Sequence, residues 1–245
     1  MWTYVFLGII QGIFEWFPIS SEGIVALSSQ FLVKNINPID IALFLHLGTV
    51  FAVLIYFRKD WKEVFMLRNY KLLRFLIIST LVSLVIGYPL YNVVKNVIIG
   101  NSLLLIMGFG LLLTAYFHKT KRGFKTDFNK LAIITGFLQG LAVVPGLSRS
   151  GSTIFGLSLG ESKPSEVLKV SYIMSVPVIL VSSVYLFLKN PVFLVEGWPA
   201  LISSFLIGIF SLHFLIKLAQ KINFFKFALI FSFLCFLGAV IGFIV

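Results

Sequence analysis

Long apolar stretches recur along the whole chain, and they restrict its fold more than any other feature of the sequence. Six of them approach or exceed the roughly 20 residues that an α-helix needs to cross a bilayer. They cover residues 40–57, 72–94, 100–117, 168–188, 198–216 and 225–245. Only 12% of the 245 residues are charged, whereas a soluble domain has about a quarter. The sequence therefore predicts an all-α polytopic membrane protein with a single membrane domain.

Two further apolar segments, 1–33 and 131–160, are interrupted near the middle by proline, serine and glycine. Each half of these segments is too short to cross a bilayer comfortably. Irregular backbone at membrane depth is tolerated only where protein or a water-filled cavity satisfies its polar groups. We therefore expect both segments to be re-entrant hairpins, which enter and leave the membrane on the same side.

The lysines and arginines are distributed unevenly between the two sides of this topology. Sixteen of the 20 fall in the loops 58–74, 118–130, 161–169 and 217–226. Three lie on the opposite side, namely Lys34, Lys95 and Lys189, and Arg149 lies inside the second hairpin. The positive-inside rule then makes the basic loops cytoplasmic and puts both termini outside. The net charge of +11 thus requires no nucleic acid, and some lysines are expected to contact anionic membrane lipids.

The order of hairpin and spans repeats along the chain. Residues 1–117 contain a hairpin followed by three spans, and residues 131–245 contain the same series after the basic loop 118–130. Three is an odd number of crossings, so the two halves are expected to lie in opposite orientations. The first hairpin would enter from outside and the second from the cytoplasm.

Two short sequences support this inverted repeat. The first hairpin contains "GIIQGIFEWFPISSEG", and the second contains "GFLQGLAVVPGLSRSGS". Both read Gly-x-x-Gln-Gly, then a proline five or six residues later, then a serine-rich turn, so that Gln11 matches Gln139 and Pro18 matches Pro145. In inverted-repeat membrane proteins, broken helices meet near the midplane and form the ligand site there.

The interruption of the second hairpin contains Arg149, within "VVPGLSRSGSTI". An arginine inside a membrane segment is costly and usually functional, although a snorkelling or ion-paired arginine is the structural alternative. Glycine lets backbone N–H groups approach a ligand closely, and a glycine–serine turn before a new helix forms an anion nest. Guanidinium binds phosphate through a bidentate fork. The predicted ligand is therefore phosphate or diphosphate, with polar groups from Ser148, Ser150, Gly151, Ser152 and Thr153 around it.

The interruption of the first hairpin supplies groups that complement Arg149. Glu15 is a carboxylate in apolar surroundings, and Ser20 and Ser21 follow it. Glu15 could pair with Arg149, act as a general base, or bind a metal ion. A serine next to a base is a candidate nucleophile, and without that role Ser20 and Ser21 would cap the next helix. Phosphoryl transfer needs mainly positioning and positive charge at the phosphate oxygens, and this set of groups could supply both.

These segments resemble those of the bacitracin-resistance type undecaprenyl-diphosphate phosphatases. "QGIFEWFPISSEG" is similar to the first motif of that family, which usually reads E-G-x-T-E-F-L-P-[VI]-S-S-T-G-H, and "PGLSRSGST" matches the second motif almost residue for residue. "LFLHLGTVFAVLIYFRKDW" and "VSYIMSVPVIL" are also similar to family segments. The resemblance covers nearly the whole chain.

The resemblance implies a hydrolase that converts undecaprenyl diphosphate to the monophosphate at the outer face of the plasma membrane. This reaction recycles the lipid carrier for cell-envelope glycans, and the family uses a divalent cation, Mg²⁺ or Ca²⁺, without an organic cofactor. The resemblance gives catalytic positions to Glu15, Ser21 and Arg149. The phosphate-binding residues that we predict are Gln11, Ser20, Ser148, Ser150, Gly151 and Thr153. The candidate metal ligands are Glu15 and Glu22.

The chain departs from the first motif at three positions. Gln11 stands in the place of a glutamate, Glu22 in the place of a threonine, and Ile24 in the place of a histidine. Glu22 could restore a second carboxylate, or it could be a solvated residue near the tip of the hairpin. Of the three histidines in the chain, His46 in "HLGT" is the best placed to act at the site, and its alternative role is that of a hydrogen-bonded packing residue.

Two functions of different classes are consistent with these features. The first is a polyprenyl-diphosphate phosphatase, in which Ser21 or water attacks phosphorus, Glu15 is the base or a metal ligand, and Arg149 stabilises the phosphate charge. The second is a polyprenyl-phosphate transporter or flippase that keeps the phosphate site with weak or no hydrolysis. The inverted repeat and the departures at Gln11 and Ile24 favour the second function, and the intact Glu15, serines and arginine motif favour the first. The sequence leaves the oligomeric state open.

Overall fold

A computed structural model gives the structure of the chain. It describes residues 2–18, 21–32, 38–94, 105, 108–109, 111–112, 127–143, 147–160, 163–189 and 197–244. All regular secondary structure in these residues is α-helical. The helices are α1 (Trp2–Phe14), α2 (Ser21–Leu32), α3 (Pro38–Tyr56), α4 (Arg58–Phe65), α5 (Tyr70–Val94), α6 (Phe128–Leu141), α7 (Arg149–Ser158), α8 (Pro164–Lys189), α9 (Trp198–Lys221) and α10 (Phe224–Ile244).

Four of these helices, α5, α8, α9 and α10, are long and apolar enough to cross a membrane. They correspond to four of the predicted spans, and α3 corresponds to the predicted span 40–57. Large apolar side chains such as Phe210 and Phe214 are exposed on their outer faces, as lipid-facing side chains are. The prediction of an all-α polytopic membrane protein is confirmed, while the predicted span 100–117 lies largely outside the described residues.

The segment 58–74, predicted as a loop, begins with the short helix α4. This helix turns away from α3 by 81°. Trp61 and Val64 are buried on one face of α4, while Lys59 and Lys62 are exposed on the other. The basic residues suggested a loop, although the apolar residues between them have the spacing of an amphipathic helix. Burial of the two apolar side chains stabilises this helix.

The two predicted hairpins are each a pair of short helices. Helices α1 and α2 form the first pair, α6 and α7 the second, and each is 10 to 14 residues long, less than the roughly 20 needed for a full crossing. The two helices of each pair pack against each other. The break in the second pair ends at Ser148, whose Oγ accepts a hydrogen bond from the Gly151 N–H at 3.2 Å and caps α7. The side chains at both breaks thus lie between short helices inside the protein.

Each of the helices α1 and α6 packs most extensively on a long helix from the other half of the chain. Helix α1 lies against α9, and α6 lies against α5. Glycines make both contacts close: a Cβ atom at Gly8 would lie 2.3 Å from the Ala200 carbonyl oxygen, and one at Gly136 would lie 2.6 Å from the Ser79 carbonyl oxygen. Backbone-to-backbone contact of this kind is typical of packed membrane helices, and it fixes α1 against α9 and α6 against α5.

The contact between α6 and α5 leads to a stability prediction. We expect Gly136→Ala to lower the free energy of unfolding by roughly 1–3 kcal/mol, because the new methyl group meets backbone that cannot yield cheaply. The matched control is Gly160→Ala, whose Cβ would meet only the flexible end of the Leu131 side chain at 2.9 Å. Unfolding of both variants in detergent measures the difference, and equal stability of the two would contradict this account of the interface.

Two aromatic residues hold the backbone of the first break, between α1 and α2, in place. The Trp16 indole N–H donates to the Gly208 carbonyl at 3.0 Å, and the Tyr172 hydroxyl donates to the Trp16 carbonyl at 2.9 Å. The two rings pack edge to face with centroids 5.0 Å apart, and both are fully buried. Helices α8 and α9 therefore hold the backbone that follows α1, and with it the neighbouring Glu15.

Candidate active site

Glu15 is the centre of the site. It follows the last residue of α1 and is only 3% exposed. Its Oε1 pairs with Nη2 of Arg149, at the start of α7. Its Oε2 accepts hydrogen bonds from Nε2 of Gln11 at 2.6 Å and from Oγ of Ser21 at 3.1 Å. The structure thus brings together the three predicted catalytic residues and Gln11, although Arg149 is 134 positions from Glu15 in the chain.

Arg149 is the first residue of α7 and lies mostly within the protein. While Nη2 bonds to Glu15, Nη1 is buried without a hydrogen-bond partner among the described residues. A buried guanidinium N–H that lacks a partner is costly. This group is therefore a strong donor for an anionic ligand beside Glu15.

Two helices begin at the site, since Ser21 is the first residue of α2 and Arg149 is the first residue of α7. The first backbone N–H groups of a helix have no partner within the helix and carry partial positive charge. Such ends are a common place for phosphate to bind. The sequence suggested one helix start of this kind, and the structure joins two of them through the Glu15 carboxylate.

The residues around Arg149 are used partly to lock the two hairpins together. The hydroxyl of Ser150 donates to the Phe17 carbonyl at 2.5 Å, and that of Ser148 approaches the same carbonyl at 3.3 Å. The hydroxyl of Thr153 bonds to the Arg149 carbonyl at 3.0 Å and to the Ser171 hydroxyl at 2.6 Å. Phosphate binding by these side chains stays a prediction. The observed contacts of Ser148 and Ser150 hold the start of α7 against the backbone that follows α1, while Thr153 holds α7 against α8.

Gly151 has a packing role that the sequence did not reveal. A Cβ atom at this position would lie 3.1 Å from the Pro18 side chain, and its N–H is occupied by the Ser148 cap. The predicted residue Ser20 lies outside the described residues, and so does the side chain of Glu22. The roles predicted for these two residues therefore stay predictions.

His46, on α3, joins the site as well. Its Nε2 lies 3.1 Å from Oε2 of Glu15, and its Nδ1 lies 2.7 Å from the Ala42 carbonyl oxygen. A carbonyl only accepts hydrogen bonds, so Nδ1 carries a proton. The contact between Nε2 and the carboxylate then requires one further proton, on the ring or on the carboxyl group. The sequence identified His46 as the best placed histidine, but only the structure puts it against Glu15.

These side chains line one pocket. Most of the residues that line it are polar or charged, and the two apolar ones are Ala142 and Leu147. The lining residues are Glu15, Ser21, His46, Ala142, Leu147, Ser148, Arg149 and Ser150. A serine hydroxyl, a carboxylate, an imidazole and a guanidinium therefore line one pocket, and these are groups that phosphoryl transfer can use.

The described residues do not fit a metal ion held by protein side chains alone. They contain no group of three or more histidine, cysteine, aspartate or glutamate side chains that could hold one. Glu15 is the only described carboxylate that lines the pocket, and four side chains already contact its oxygens. A divalent cation would have to share Glu15 with these donors, so we derive no step through a metal.

Comparison with known proteins identifies the family. The family described as Bacitracin resistance protein BacA matches residues 4–240 of the chain. A protein of Sulfurisphaera tokodaii named undecaprenyl-diphosphatase is 34% identical, with 89% of each chain covered. A protein of the same name from Methanococcoides burtonii is 32% identical, covering 90% of this chain and 91% of its own. Another from Thermosipho africanus is 35% identical, with 99% of each chain covered. Since the match extends over nearly all of the chain and includes both breaks that form the pocket, the chain belongs to the bacitracin resistance protein BacA family.

Proposed function

We propose that this protein is a membrane-integral phosphatase that removes the terminal phosphate of undecaprenyl diphosphate or a similar polyprenyl diphosphate. One observation carries the proposal: a serine hydroxyl, a carboxylate and a guanidinium from two separate hairpins meet at one pocket. The names of the relatives point to the same reaction. The product would be the monophosphate lipid carrier, which cell-envelope glycan synthesis can reuse. The family match disfavours the transporter alternative.

Ser21 is the nucleophile in this proposal. Its hydroxyl donates to Oε2 of Glu15 at 3.1 Å, the relation of a nucleophile to its general base. As Oγ bonds to the terminal phosphorus, the bridging P–O bond breaks and its electron pair leaves with the polyprenyl monophosphate. The hydroxyl proton passes to Glu15. Water then attacks the phosphorus of the phosphoserine, and the bond between that phosphorus and Oγ of Ser21 breaks. Oγ takes back the proton from Glu15, and the free phosphate departs with both hydrogens of the water.

The anionic phosphate would lie between Arg149 and the two helix starts. The buried Nη1 of Arg149, which has no partner among the described residues, would donate to a phosphate oxygen. The first N–H groups of α2 and α7 would donate to others. Donors fixed in this way stabilise the charge on the equatorial oxygens as the bond breaks.

Ser21→Ala tests the nucleophile. We expect turnover to fall by about 10³-fold or more while binding of inorganic phosphate is retained, because the variant loses the attacking oxygen and keeps the cationic groups. The matched control is Ser182→Ala, which removes a hydroxyl that bonds to the Ile179 carbonyl on α8 and does not line the pocket. A loss of less than about tenfold in Ser21→Ala would make water the attacking group.

A divalent cation is part of this proposal as a partner of the substrate. Mg²⁺ is usually bound through one or two carboxylates together with substrate phosphates, and in this pocket it would have to share Glu15 with the four side chains that contact that carboxylate. Mg²⁺ or Ca²⁺ would then accompany the diphosphate. Phosphate release after chelation by EDTA, and after return of each ion, measures this requirement.

We also propose that the fold is an inverted repeat of residues 1–117 and 131–245. Helix α1 of the first half packs on α9 of the second, and α6 of the second packs on α5 of the first. The glycines of the two Gly-x-x-Gln-Gly motifs lie at these two equivalent contacts. The first residue of α7 follows that of α2 by as many positions in the sequence as the first residue of α9 follows that of α5. Equal spacing of corresponding helices is expected of a repeat. The charge distribution supports placing both termini and the site on the outer side of the plasma membrane.

The first experiment is phosphate release from undecaprenyl diphosphate by the purified protein in detergent. We expect release from the wild type and none above background from Glu15→Ala or Arg149→Ala. No release from the wild type, together with lipid-phosphate binding that Arg149→Ala abolishes, would replace the phosphatase by the transporter. Release that survives both substitutions would place the reaction elsewhere in the molecule.

A further inference from the structure

We infer that His46 is a positioning residue of the reaction, which acts through Glu15. This inference rests on the proposed phosphatase function and deepens it. His46 would hold the Oε2 atom of Glu15 in line with the Ser21 hydroxyl, so that the serine proton has a fixed acceptor when the nucleophile attacks. The imidazole would act through the carboxylate rather than on the substrate.

The ring of His46 is fixed at both nitrogens. Its Nδ1 donates to the Ala42 carbonyl one turn earlier on α3, at 2.7 Å, and Nε2 is thereby directed at Oε2 of Glu15, 3.1 Å away. The residue is 5% exposed. Because a histidine ring is planar and rigid, the first contact determines where the second nitrogen points.

The backbone that carries His46 is itself held in place. The Leu45 carbonyl accepts a hydrogen bond from the Ser204 hydroxyl of α9 at 3.1 Å, and the His46 carbonyl accepts one from the Thr49 hydroxyl at 2.9 Å. Gly48 lets α3 and α9 approach so closely that a Cβ atom there would lie 2.6 Å from the Leu201 carbonyl oxygen. Helix α3 is therefore a firm platform for the imidazole, which a positioning role requires.

Oε2 of Glu15 is the atom on which this role depends. Gln11, Ser21 and His46 all contact it, while Arg149 holds the other oxygen. Without the imidazole, the carboxylate keeps its ion pair with Arg149 through Oε1 and loses the contact from α3 that holds Oε2. The carboxylate could then turn away from Ser21, and a displacement of about 1 Å at a reacting group is enough to cost a large factor in rate.

Among the described side chains of the neighbouring turn of α2, Ile24 offers no substitute for this donor. Ile24 lies one turn beyond Ser21 on that helix, and its side chain is apolar. A second histidine, His213, is exposed on α9, where its Nδ1 lies 3.0 Å from the Tyr56 hydroxyl, and it is not among the residues that line the pocket. Of the three histidines, His46 alone is shown in contact with Glu15 in the described part of the chain.

The test compares His46→Ala, His46→Gln and the matched control His213→Ala with the wild type. We expect His46→Ala to lower kcat for undecaprenyl diphosphate by about 10- to 100-fold, the range for one lost hydrogen bond to a charged group. KM should change by less than about threefold, since the phosphate-binding groups stay. His46→Gln should recover at least about a third of the wild-type kcat, because its amide N–H can still donate to Glu15. His213→Ala should stay within about twofold of the wild type.

Thermal unfolding in detergent accompanies the kinetics and separates positioning from packing. A kcat unchanged in His46→Ala would overturn the inference, as would equal losses of kcat in the Ala and Gln variants. A loss in His46→Ala that follows the fraction unfolded, with normal kcat per folded molecule, would overturn it too. An inactive wild type would instead remove the proposed function on which the inference rests, so the two failures are distinguishable.

Discussion

Arg149→Lys is expected to lower kcat/KM for a polyprenyl diphosphate by about 10²–10³-fold, the cost of removing one donor aimed at developing charge. The lysine keeps the positive charge, and its single ammonium group can still pair with Glu15. It lacks the second arm of the fork, which is the buried Nη1 that we assign to phosphate. A point charge cannot bind Glu15 and a phosphate in the same planar geometry. Phosphate release measures the loss of turnover, and binding of inorganic phosphate measures the loss of affinity for the phosphate group.

The matched control for this change is Arg58→Lys, at an exposed position on α4 outside the pocket. It should leave kcat/KM within about twofold of the wild type. Near-normal turnover in Arg149→Lys would mean that charge alone suffices at the site, and the assignment of Nη1 to the phosphate would have to be given up.

Glu15→Gln is expected to cost about 10³-fold or more in kcat/KM. The substitution removes the acceptor of the Ser21 proton, a contribution of about 10²–10⁴-fold for a general base. It also replaces one acceptor oxygen by an NH₂ group, which must then face a donor, whether Arg149 or the cluster of Gln11, Ser21 and His46. Steady-state phosphate release measures the loss, and the exposed carboxylate of Glu63 on α4 provides the matched control, Glu63→Gln.

This variant is also expected to be less stable, because removal of one partner from a buried ion pair costs about 3–5 kcal/mol. The double variant Glu15→Leu/Arg149→Met separates stability from chemistry. Replacement of both charges by apolar side chains leaves no unpaired charge, although Gln11, Ser21 and His46 still lose their acceptor. The double variant should therefore be more stable than Glu15→Leu alone and still release no phosphate. A stable Glu15→Gln protein with near-normal turnover would show that Glu15 is neither the base nor an essential partner of Arg149.

The sequence was a good guide to the long elements. Hydrophobic stretches of roughly 20 residues form helices in a membrane, because a helix satisfies all the backbone hydrogen bonds within one segment. Four predicted spans are therefore found as long apolar helices, and α3 follows the fifth. The short helix α4 was missed, since its basic residues suggested a loop. Its order comes from the burial of Trp61 and Val64, which depends on neighbours that are distant in the sequence.

The site residues were predictable to different degrees. Glu15, Ser21 and Arg149 could be named from the sequence, because charged and hydroxyl groups between apolar runs need a reason to be there. The contact partners of Ser148, Ser150 and Gly151 could not be predicted. Their contacts with Phe17 and Pro18 tie one hairpin to the other, and local sequence does not distinguish a hydroxyl that binds a ligand from one that binds a distant carbonyl.

By itself, the sequence predicted that this chain is helical, that it lies in a membrane and to which family it belongs, and it placed most of the expected site residues in two interrupted segments. Those properties follow from composition, periodicity and motifs, which are local. Only the tertiary structure decided that Oε2 of Glu15 faces Ser21 and His46 while Oε1 faces Arg149. The reason is geometric: these groups come from four different helices or breaks, and the packing of α1 on α9 and of α6 on α5 fixes the hairpins that carry most of them.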